Sequence, residues 1–170
     1  ISYRVIEVVP DGFIQIAQTE RTITDTEFDP AGTGQDTSLF TFVNAKKTSF
    51  KVTKKWVGSS PSATEVTVSL YRKYRKAGEN ETEEPVDGTT VQLNEANHFE
   101  AEWKDLPETS ADGDVYSYYA KEVNDPAATG YRAEYGAVEA AADGTWKQTI
   151  YNIPLTSVSG TKVWKDEKNA

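Results

Sequence analysis

The chain has 170 residues, of which 37% are hydrophobic and 26% are charged, and its formal net charge at pH 7 is −9. This length and apolar content suffice for a domain with a buried core, and no run approaches the ~20 apolar residues of a membrane-spanning helix. The acidic balance opposes binding to phosphate backbones, so we expect no nucleic-acid partner. Cysteine is absent and His98 is the single histidine, which excludes disulfides and argues against a metal or cofactor site.

Short runs in which apolar or β-branched residues alternate with polar ones predict strands along the whole chain. The predicted strands are residues 3–9, 40–44, 50–57, 65–71, 98–103, 116–123, 146–153 and 157–164. Clusters of Gly, Pro, Asp and Ser separate these runs, and no segment carries a convincing helical stripe with caps. The polar stretch 76–90 predicts an exposed hairpin or loop. The fold class that follows is all-β, and a sandwich is the expected architecture.

The chain also repeats itself. The segment Thr-Lys-Lys-Trp that contains Lys54 matches the segment Thr-Lys-Val-Trp that contains Lys162, 108 positions later. Asn44 and Asn152, each preceded by two apolar or aromatic residues, are separated by the same 108 positions. Two independent landmarks with one period indicate an internal repeat of about the length of one β-sandwich domain.

A third match joins the segment around Glu7 to the segment around Glu122, 115 positions later, and the difference from the first period needs only a change in loop length. The expected organisation is the C-terminal part of a preceding repeat at 1–46, a complete repeat at 47–154 and the first strand of a following repeat at 155–170.

Residues 45–49 and 154–159 are expected to be short junctions between repeats strung end to end. Methionine is absent, including at position 1, so we expect the chain to be a piece of a longer protein.

The complete repeat contains two polar side chains that strand alternation places among apolar ones. Lys54 and Asn152 each share a strand face with apolar neighbours, whereas Lys55 is expected to face solvent. A lysine that points into a core is costly unless its charge is compensated. One compensation is a salt bridge with Glu122.

The other compensation is covalent. Burial lowers the pKa of a lysine and raises that of a carboxylic acid, so that a neutral amine and a protonated acid can coexist. The amine of Lys54 then attacks the side-chain carbonyl of Asn152, Glu122 polarises that carbonyl and moves protons, and ammonia leaves. The product is an amide that joins the first strand of the repeat to the last.

At this point the sequence resembles a known family. Its Thr-Lys-x-Trp opening strand, its Tyr-x-x-x-Glu strand followed by a Gly-aromatic turn, and its closing Ile-Tyr-Asn strand are similar to those of the Cna B-type domains of Gram-positive surface adhesins and pilins, over essentially all of 47–154. The resemblance implies a prealbumin-like or Ig-like β-sandwich with an intramolecular isopeptide bond. It also implies an extracellular location at the bacterial cell wall.

Carried over by position, the resemblance assigns Lys54 as the nucleophile, Asn152 as the acceptor and Glu122 as the catalyst. The equivalents in the partial repeats are Glu7, Asn44 and Lys162. None of these is expected to complete a crosslink within its own repeat. An alternative is that the strand of Lys162 pairs with residues 1–46 of the same or a neighbouring chain.

Two functions remain open from the sequence. The favoured one is a structural stalk repeat whose partners are adjacent repeats, with single-turnover self-crosslinking and no enzyme activity. The alternative is a sandwich that binds carbohydrate or a host matrix protein through loops or exposed tyrosines. The tyrosines in question are Tyr71, Tyr74, Tyr116, Tyr118, Tyr119, Tyr131 and Tyr135. His98 is expected to be a surface residue of a strand.

Overall fold

The computed structural model describes residues 2–3, 5–18, 23–24, 40–58, 65–123, 130–156 and 160–161. Its strands are β1 (Ser2–Tyr3), β2 (Phe13–Gln18), β3 (Ile23–Thr24), β4 (Phe42–Trp56), β5 (Val66–Tyr74), β6 (Thr82–Pro85), β7 (Val91–Leu93), β8 (Glu100–Pro107), β9 (Ser117–Glu122), β10 (Tyr131–Tyr135), β11 (Glu139–Ala140) and β12 (Trp146–Pro154). The helical element within the described ranges is a short 3-10 turn, Glu95–Asn97. None of the helical segments described is long and apolar enough to cross a membrane.

Two sheets enclose the core. In the larger sheet the order is β10, β12, β4 and β2, with β8 also paired to β4 and β11 to β12. In the smaller sheet β5 lies at the centre, with β6 and β7 on one side and β9 on the other. Both sheets contribute to one buried apolar cluster, which includes Phe50, Val52, Ile150, Val68, Leu70, Leu93 and Ala120. The predicted all-β sandwich is therefore confirmed.

Strand β4 connects the upstream part of the chain to the complete repeat without interruption. It runs for 15 residues, and residues 42–46 pair with β2 while residues 47–53 pair with β8. Residues 45–49, expected to be a short junction, lie within this strand, where the backbone pairing passes from β2 to β8. The division into repeats on either side of them stays a prediction. Ala45 is 2% exposed inside this stretch, but the alternation of buried and exposed side chains is interrupted after it, because Lys46 and Lys47 are both exposed.

Several predicted elements are confirmed. Strands occur at 66–74, 117–122 and 146–154, close to the predicted bounds. The polar stretch 76–90 contains β6, which forms an antiparallel hairpin with β5, and residues 75–81 at its tip are exposed.

Other predictions are wrong in instructive ways. The strand predicted at 3–9 ends at Tyr3, because residues 5–10 have no strand partner among the described residues and lead into the turn at Asp11. His98 is exposed as expected, but it ends the 3-10 turn in the left-handed conformation with a φ of 55° instead of lying in a strand. Strands β2, β6, β7 and β10 were not predicted, since each is short or lacks clean alternation. Most of the predicted strand 157–164 lies outside the described residues.

Candidate crosslink site

Lys54 lies in the interior of the sandwich. It is the thirteenth residue of β4, and it shares the inward face of that strand with Val52 and Trp56. Its side chain has no exposed surface, whereas the neighbouring Lys55 is exposed. The predicted orientation of the two lysines is confirmed, and it follows from the two-residue period of a strand.

The partner of the Lys54 amine comes from the opposite sheet. Glu122 is the last residue of β9, its side chain is 2% exposed, and its Oε1 lies 2.9 Å from Lys54 Nζ. The amine also lies 3.3 Å from the carbonyl oxygen of Ile150 and 5.2 Å from the centre of the Trp56 ring. A buried ion pair thus connects the two sheets at a point where the surrounding residues are apolar or aromatic.

Asn152 lies on the strand next to Lys54. Strand β12 runs parallel to β4, with Ile150 opposite Lys54 and Asn152 opposite Trp56. With a strand spacing of ~4.8 Å and a rise of ~3.3 Å per residue, the Cα atoms of Lys54 and Asn152 are about 8 Å apart, which a lysine side chain can span. Asn152 is 4% exposed, and its Oδ1 has no hydrogen-bond partner among the described residues.

The electrostatics of the site favour a neutral amine. Burial lowers the pKa of Lys54 below its ordinary value of 10.5, while the hydrogen bond and charge of Glu122 act in the opposite direction. A larger fraction of the amine is therefore deprotonated near neutral pH than for a lysine in water. Only the deprotonated amine has the free electron pair that a nucleophile needs.

Aromatic side chains that sequence reasoning did not assign close one side of the site. The rings of Trp56 and Phe99 meet edge to face with their centres 4.6 Å apart. Phe99 has a φ of 57°, and its carbonyl oxygen accepts a hydrogen bond from the backbone N–H of Lys54 at 2.8 Å. This contact anchors the backbone of the lysine, and the two rings shield the ion pair from water.

Gln148 and Tyr135 hold the strand that carries Glu122. Gln148 is 5% exposed; its Oε1 accepts the backbone N–H of Ala120 at 2.7 Å, and its Nε2 donates to the carbonyl oxygen of Gly136 at 3.2 Å. The hydroxyl oxygen of Tyr135 accepts the backbone N–H of Glu122 at 3.3 Å. The one sequence signal for Gln148 is that a polar residue stands at an inward position of β12, between Trp146 and Ile150.

The upstream part of the chain contains a related pair. Asn44 Nδ2 donates a hydrogen bond to Glu7 Oε1 at 2.6 Å. Asn44 pairs with Gln15 of β2 as Asn152 pairs with Ala133 of β10. The structure thus brings the predicted equivalents Glu7 and Asn44 together, while the third equivalent, Lys162, lies outside the described residues.

The tyrosines do not form an open platform. Six of the seven are buried or half-buried, and the exposed one is Tyr135, at 44%. On the outer face of the smaller sheet the rings of Tyr71 and Tyr119 lie 5.8 Å apart, and the amine of Lys121 lies 4.7 Å and 5.2 Å from their centres. Lys121 is also paired with Glu83, so these ring faces are already in contact with a held cation.

A cleft opens beside β9, away from the ion pair. Its volume is about 650 Å³, and it is lined by Thr48, Lys73, Glu108, Val115, Tyr116, Ser117, Tyr118, Tyr119, Val138, Trp146 and Gln148. Trp146 shares the strand face of Gln148 and Ile150 yet is 41% exposed, and it lines this cleft.

Comparison with known proteins gives one curated relative. The chain is 32% identical over 121 residues to a collagen adhesin of Staphylococcus aureus, a match that covers 68% of this chain and 9% of that protein. The chain therefore corresponds to less than a tenth of the relative's length.

Among solved structures, a single B repeat unit of the collagen-binding surface protein of Staphylococcus aureus matches with 20% identity and a TM-score of 0.42, covering 84% of this chain and 86% of that one. The pilus adhesin SpaC of Lactobacillus rhamnosus GG matches with 17% identity and a TM-score of 0.39, covering 65% of this chain and 13% of that one.

The sequence model of one family matches the part of the chain that contains all three side chains of the site. The family is the Cna protein B-type domain, and the match covers residues 50–154. This range begins in β4 and ends with the last residue of β12, so it coincides with the two-sheet sandwich around the ion pair. The chain belongs to the Cna protein B-type domain family.

Proposed function

We propose that residues 47–154 form a structural stalk repeat of a bacterial surface adhesin or pilus-like protein, held closed by an isopeptide bond between Lys54 and Asn152. One observation carries the proposal: the amine of Lys54 is fully buried, lies 2.9 Å from Glu122, and shares the interior with the Asn152 amide oxygen, which has no hydrogen-bond partner among the described residues. As a Cna B-type domain, the chain is a structural repeat and not an enzyme.

The reaction follows from the positions of the three groups. The neutral amine of Lys54 adds to Cγ of Asn152, and Glu122 in its protonated form donates a proton to the developing oxyanion. Glu122 then accepts a proton from the attacking nitrogen and passes it to the departing amide nitrogen. As the carbonyl group re-forms, the hydroxyl proton of the intermediate returns to Glu122, which ends the reaction in its starting form. The C–N bond to the lysine forms, the bond to the original amide nitrogen breaks, and one molecule of ammonia is released.

The product is more compatible with its surroundings than the reactants. A charged amine and a carboxylate in a dry interior each lose several kcal/mol of hydration. After the reaction the lysine nitrogen is part of a neutral amide. Glu122 no longer faces a buried cation.

The bond also explains a stalk role. It joins β4, which enters the repeat, to β12, which leaves it, and these two strands are direct neighbours. Force applied along the chain at the two ends of the repeat passes through the crosslink and does not extend the strands between them. We propose that adjacent repeats of the same polypeptide are the partners of this domain and that the protein is exported to the cell surface.

The test is the intact mass of the purified chain beside the variants Lys54→Ala, Glu122→Ala and Asn152→Ala. Amide formation expels ammonia, so the wild-type mass should fall about 17 Da below the formula mass, and none of the three variants should show this deficit. Tandem mass spectrometry of a digest should find the peptides of Lys54 and Asn152 joined.

Lys55→Ala is the matched control, because Lys55 is adjacent in sequence and exposed. It should retain the full deficit. A wild-type chain at its formula mass would contradict the crosslink and would show that Lys54 and Glu122 form only a buried salt bridge.

A second candidate function is binding to a host matrix protein or glycan. The cleft beside β9 favours it, since Trp146 and Val115 present apolar surface there. The test is titration of the chain onto immobilised collagen beside Trp146→Ala. Saturable binding that the variant loses would support this function, and equal signals from both proteins would contradict it.

A further inference from the structure

The boundary between the upstream part of the chain and the complete repeat has a built structure. We define the upstream hairpin as β2 (Phe13–Gln18) together with residues 42–46 of β4. The turn before β2 contains Gly12 with a φ of 82°, and its carbonyl oxygen accepts the backbone N–H of Lys47 at 2.9 Å. The upstream hairpin therefore bonds to the first residue that follows it in the complete repeat.

The complete repeat contributes contacts from the other side. The backbone N–H of Glu108 donates to the carbonyl oxygen of Lys46 at 2.8 Å. Two ion pairs accompany this bond: Lys47 Nζ lies 2.8 Å from Asp105, and Lys46 Nζ lies 3.6 Å from Glu108. Lys46, the last residue of the upstream hairpin, and Lys47, the first residue of the complete repeat, thus meet an acidic pair at the end of β8.

The backbone around Asp105 is shaped for this contact. Strand β8 has a bulge there, since Lys104 and Asp105 together stand opposite Ser49. Asp105 has a φ of 54°, which costs free energy for a residue other than glycine and is tolerated better by aspartate and asparagine than by most others. A bulge redirects a side chain, and here the redirected carboxylate reaches Lys47.

The opposite end of the repeat is built in the same way. The backbone N–H of Leu155 donates to the carbonyl oxygen of Gly130 at 2.8 Å, and Gly130 has a φ of 82°. The first residue of β10 pairs with the last residue of β12, as Phe13 pairs with Lys46. Both units thus share a glycine of positive φ whose carbonyl oxygen accepts the first backbone N–H beyond this pair of residues.

We infer that this boundary is a stiff, in-line joint between successive repeats, in which Glu108 binds Lys46 at the end of the preceding repeat and Asp105 holds the adjoining Lys47 in place. One continuous strand crosses the joint, its backbone groups are bonded to β2 on one side and to β8 on the other, and the ion pairs fix the angle. The inference goes beyond the crosslink, because none of these contacts involves its three residues.

The test is a distance distribution measured across the joint by pulsed dipolar spectroscopy. The chain contains no cysteine, so Gln18→Cys and Lys147→Cys introduce its only thiols for spin labels. Their pairing partners on β4 are Phe42 and Lys51, which places the labels about 30 Å apart along the strand. A single narrow distribution is expected.

Two changes should broaden that distribution by different amounts. Insertion of Gly-Gly-Ser between Lys46 and Lys47 breaks the shared strand, so a width at least threefold larger is expected. Asp105→Asn with Glu108→Gln removes only the exposed ion pairs, which contribute little individually, so a widening of about 1.5-fold is expected. The matched control is the same insertion between Pro154 and Leu155, which lies outside the labelled segment and should leave the width unchanged.

The outcomes are distinct. A wild-type distribution as broad as that of the Lys46–Lys47 insertion would overturn the stiff joint. An unchanged width in the Asp105→Asn, Glu108→Gln protein would overturn the role of the acidic pair. Because the spectroscopic measurement is independent of the 17 Da deficit, failure of this inference is distinguishable from failure of the crosslink proposal.

Discussion

The upstream hairpin and the complete repeat contain two versions of the same asparagine position. In the complete repeat, Asn152 lies beside a lysine and a glutamate that are held together by a 2.9 Å contact from opposite sheets. In the upstream version, Asn44 donates directly to Glu7 at 2.6 Å. Both asparagines stand opposite the third residue of their partner strand, so their register is the same.

The difference shows which parts of the site are local. Each asparagine is positioned by antiparallel pairing with one strand that precedes it, β2 for Asn44 and β10 for Asn152. Lys54 and Glu122, in contrast, meet only because β4 and β9 belong to two sheets packed on one core. The hydrogen bond of Asn44 to Glu7 shows that the asparagine and glutamate can associate directly, whereas in the complete repeat the lysine amine contacts that carboxylate.

The largest expected effects come from removing the crosslink, first while keeping the ion pair. Asn152→Ala leaves Lys54 and Glu122 in place but has no amide to react. A crosslink that closes a loop of about 100 residues stabilises a protein by roughly 4–5 kcal/mol in the chain-entropy model. We expect the free energy of unfolding, measured by urea titration, to fall by about this amount.

Glu122→Ala is a harsher test of the same bond. It also removes the crosslink, but it leaves a buried lysine without a countercharge, which adds roughly 3–5 kcal/mol. Glu122→Ala should therefore be the less stable of the two variants. Equal stability of wild type and Asn152→Ala would contradict a closed covalent loop.

Strand alternation was enough to predict the inward orientation of Lys54 and Asn152, and both side chains are buried, as the two-residue period requires. The burial of the Glu122 side chain was not predicted from its strand. The duplicated motif also predicted which asparagine belongs with which glutamate. These features follow from the order of residues within single strands, so the sequence pattern alone predicts them.

The supporting residues were not predicted, because their roles depend on packing between distant segments. Gln148 reaches Ala120 in the opposite sheet, and Phe99 reaches Trp56 from a turn in the left-handed conformation. The continuity of β4 was missed for a similar reason. Adjacent charged residues at Lys46 and Lys47 are typical of a loop, and only the pairing with β2 and β8 keeps them in a strand.

Gln148 is a further difference between the two units, because the equivalent position in the upstream part, 108 residues earlier, is Phe40. Gln148→Leu should leave the backbone N–H of Ala120 buried without an acceptor, which costs about 1–3 kcal/mol. It should also slow crosslinking, because Gln148 ties the strand of Glu122 to the strand of Asn152. Urea titration and intact mass at successive times after refolding measure the two effects.

Gln92→Leu is the control for this substitution, because Gln92 is an exposed strand residue. It should change the free energy of unfolding by less than about 0.5 kcal/mol and leave the crosslinking rate unchanged. Identical behaviour of the Gln92 and Gln148 variants would show that Gln148 does not position β9.

The pH dependence of the free energy of unfolding tests a feature of the complete site that the pair of Asn44 and Glu7 lacks, namely the buried amine of Lys54. In the Asn152→Ala background, Lys54 has a pKa lowered by burial in the folded state and an ordinary pKa of 10.5 in the unfolded state. Between these two values the unfolded chain binds one more proton, so the free energy of unfolding should rise with pH. The rise is at most about 1.4 kcal/mol per pH unit.

Lys54→Met in the same background isolates this term, because the other titrating groups remain. The difference in slope between the two proteins, from urea midpoints at pH 8, 9 and 10, reports Lys54 alone. Parallel slopes would show that the amine of Lys54 has the same pKa in the folded and unfolded states.

The smallest effect is expected from the upstream pair. Asn44→Ala removes one hydrogen bond to Glu7, so the free energy of unfolding should fall by about 1 kcal/mol. The 17 Da deficit should remain, because Asn44 and Lys54 lie on the same extended strand, ten residues and about 33 Å apart, and cannot react with each other. Intact mass decides which asparagine is the acceptor. If Asn44→Ala lost the 17 Da deficit and Asn152→Ala kept it, the acceptor of the crosslink would lie in the upstream hairpin. A lysine other than Lys54 would then have to be the nucleophile.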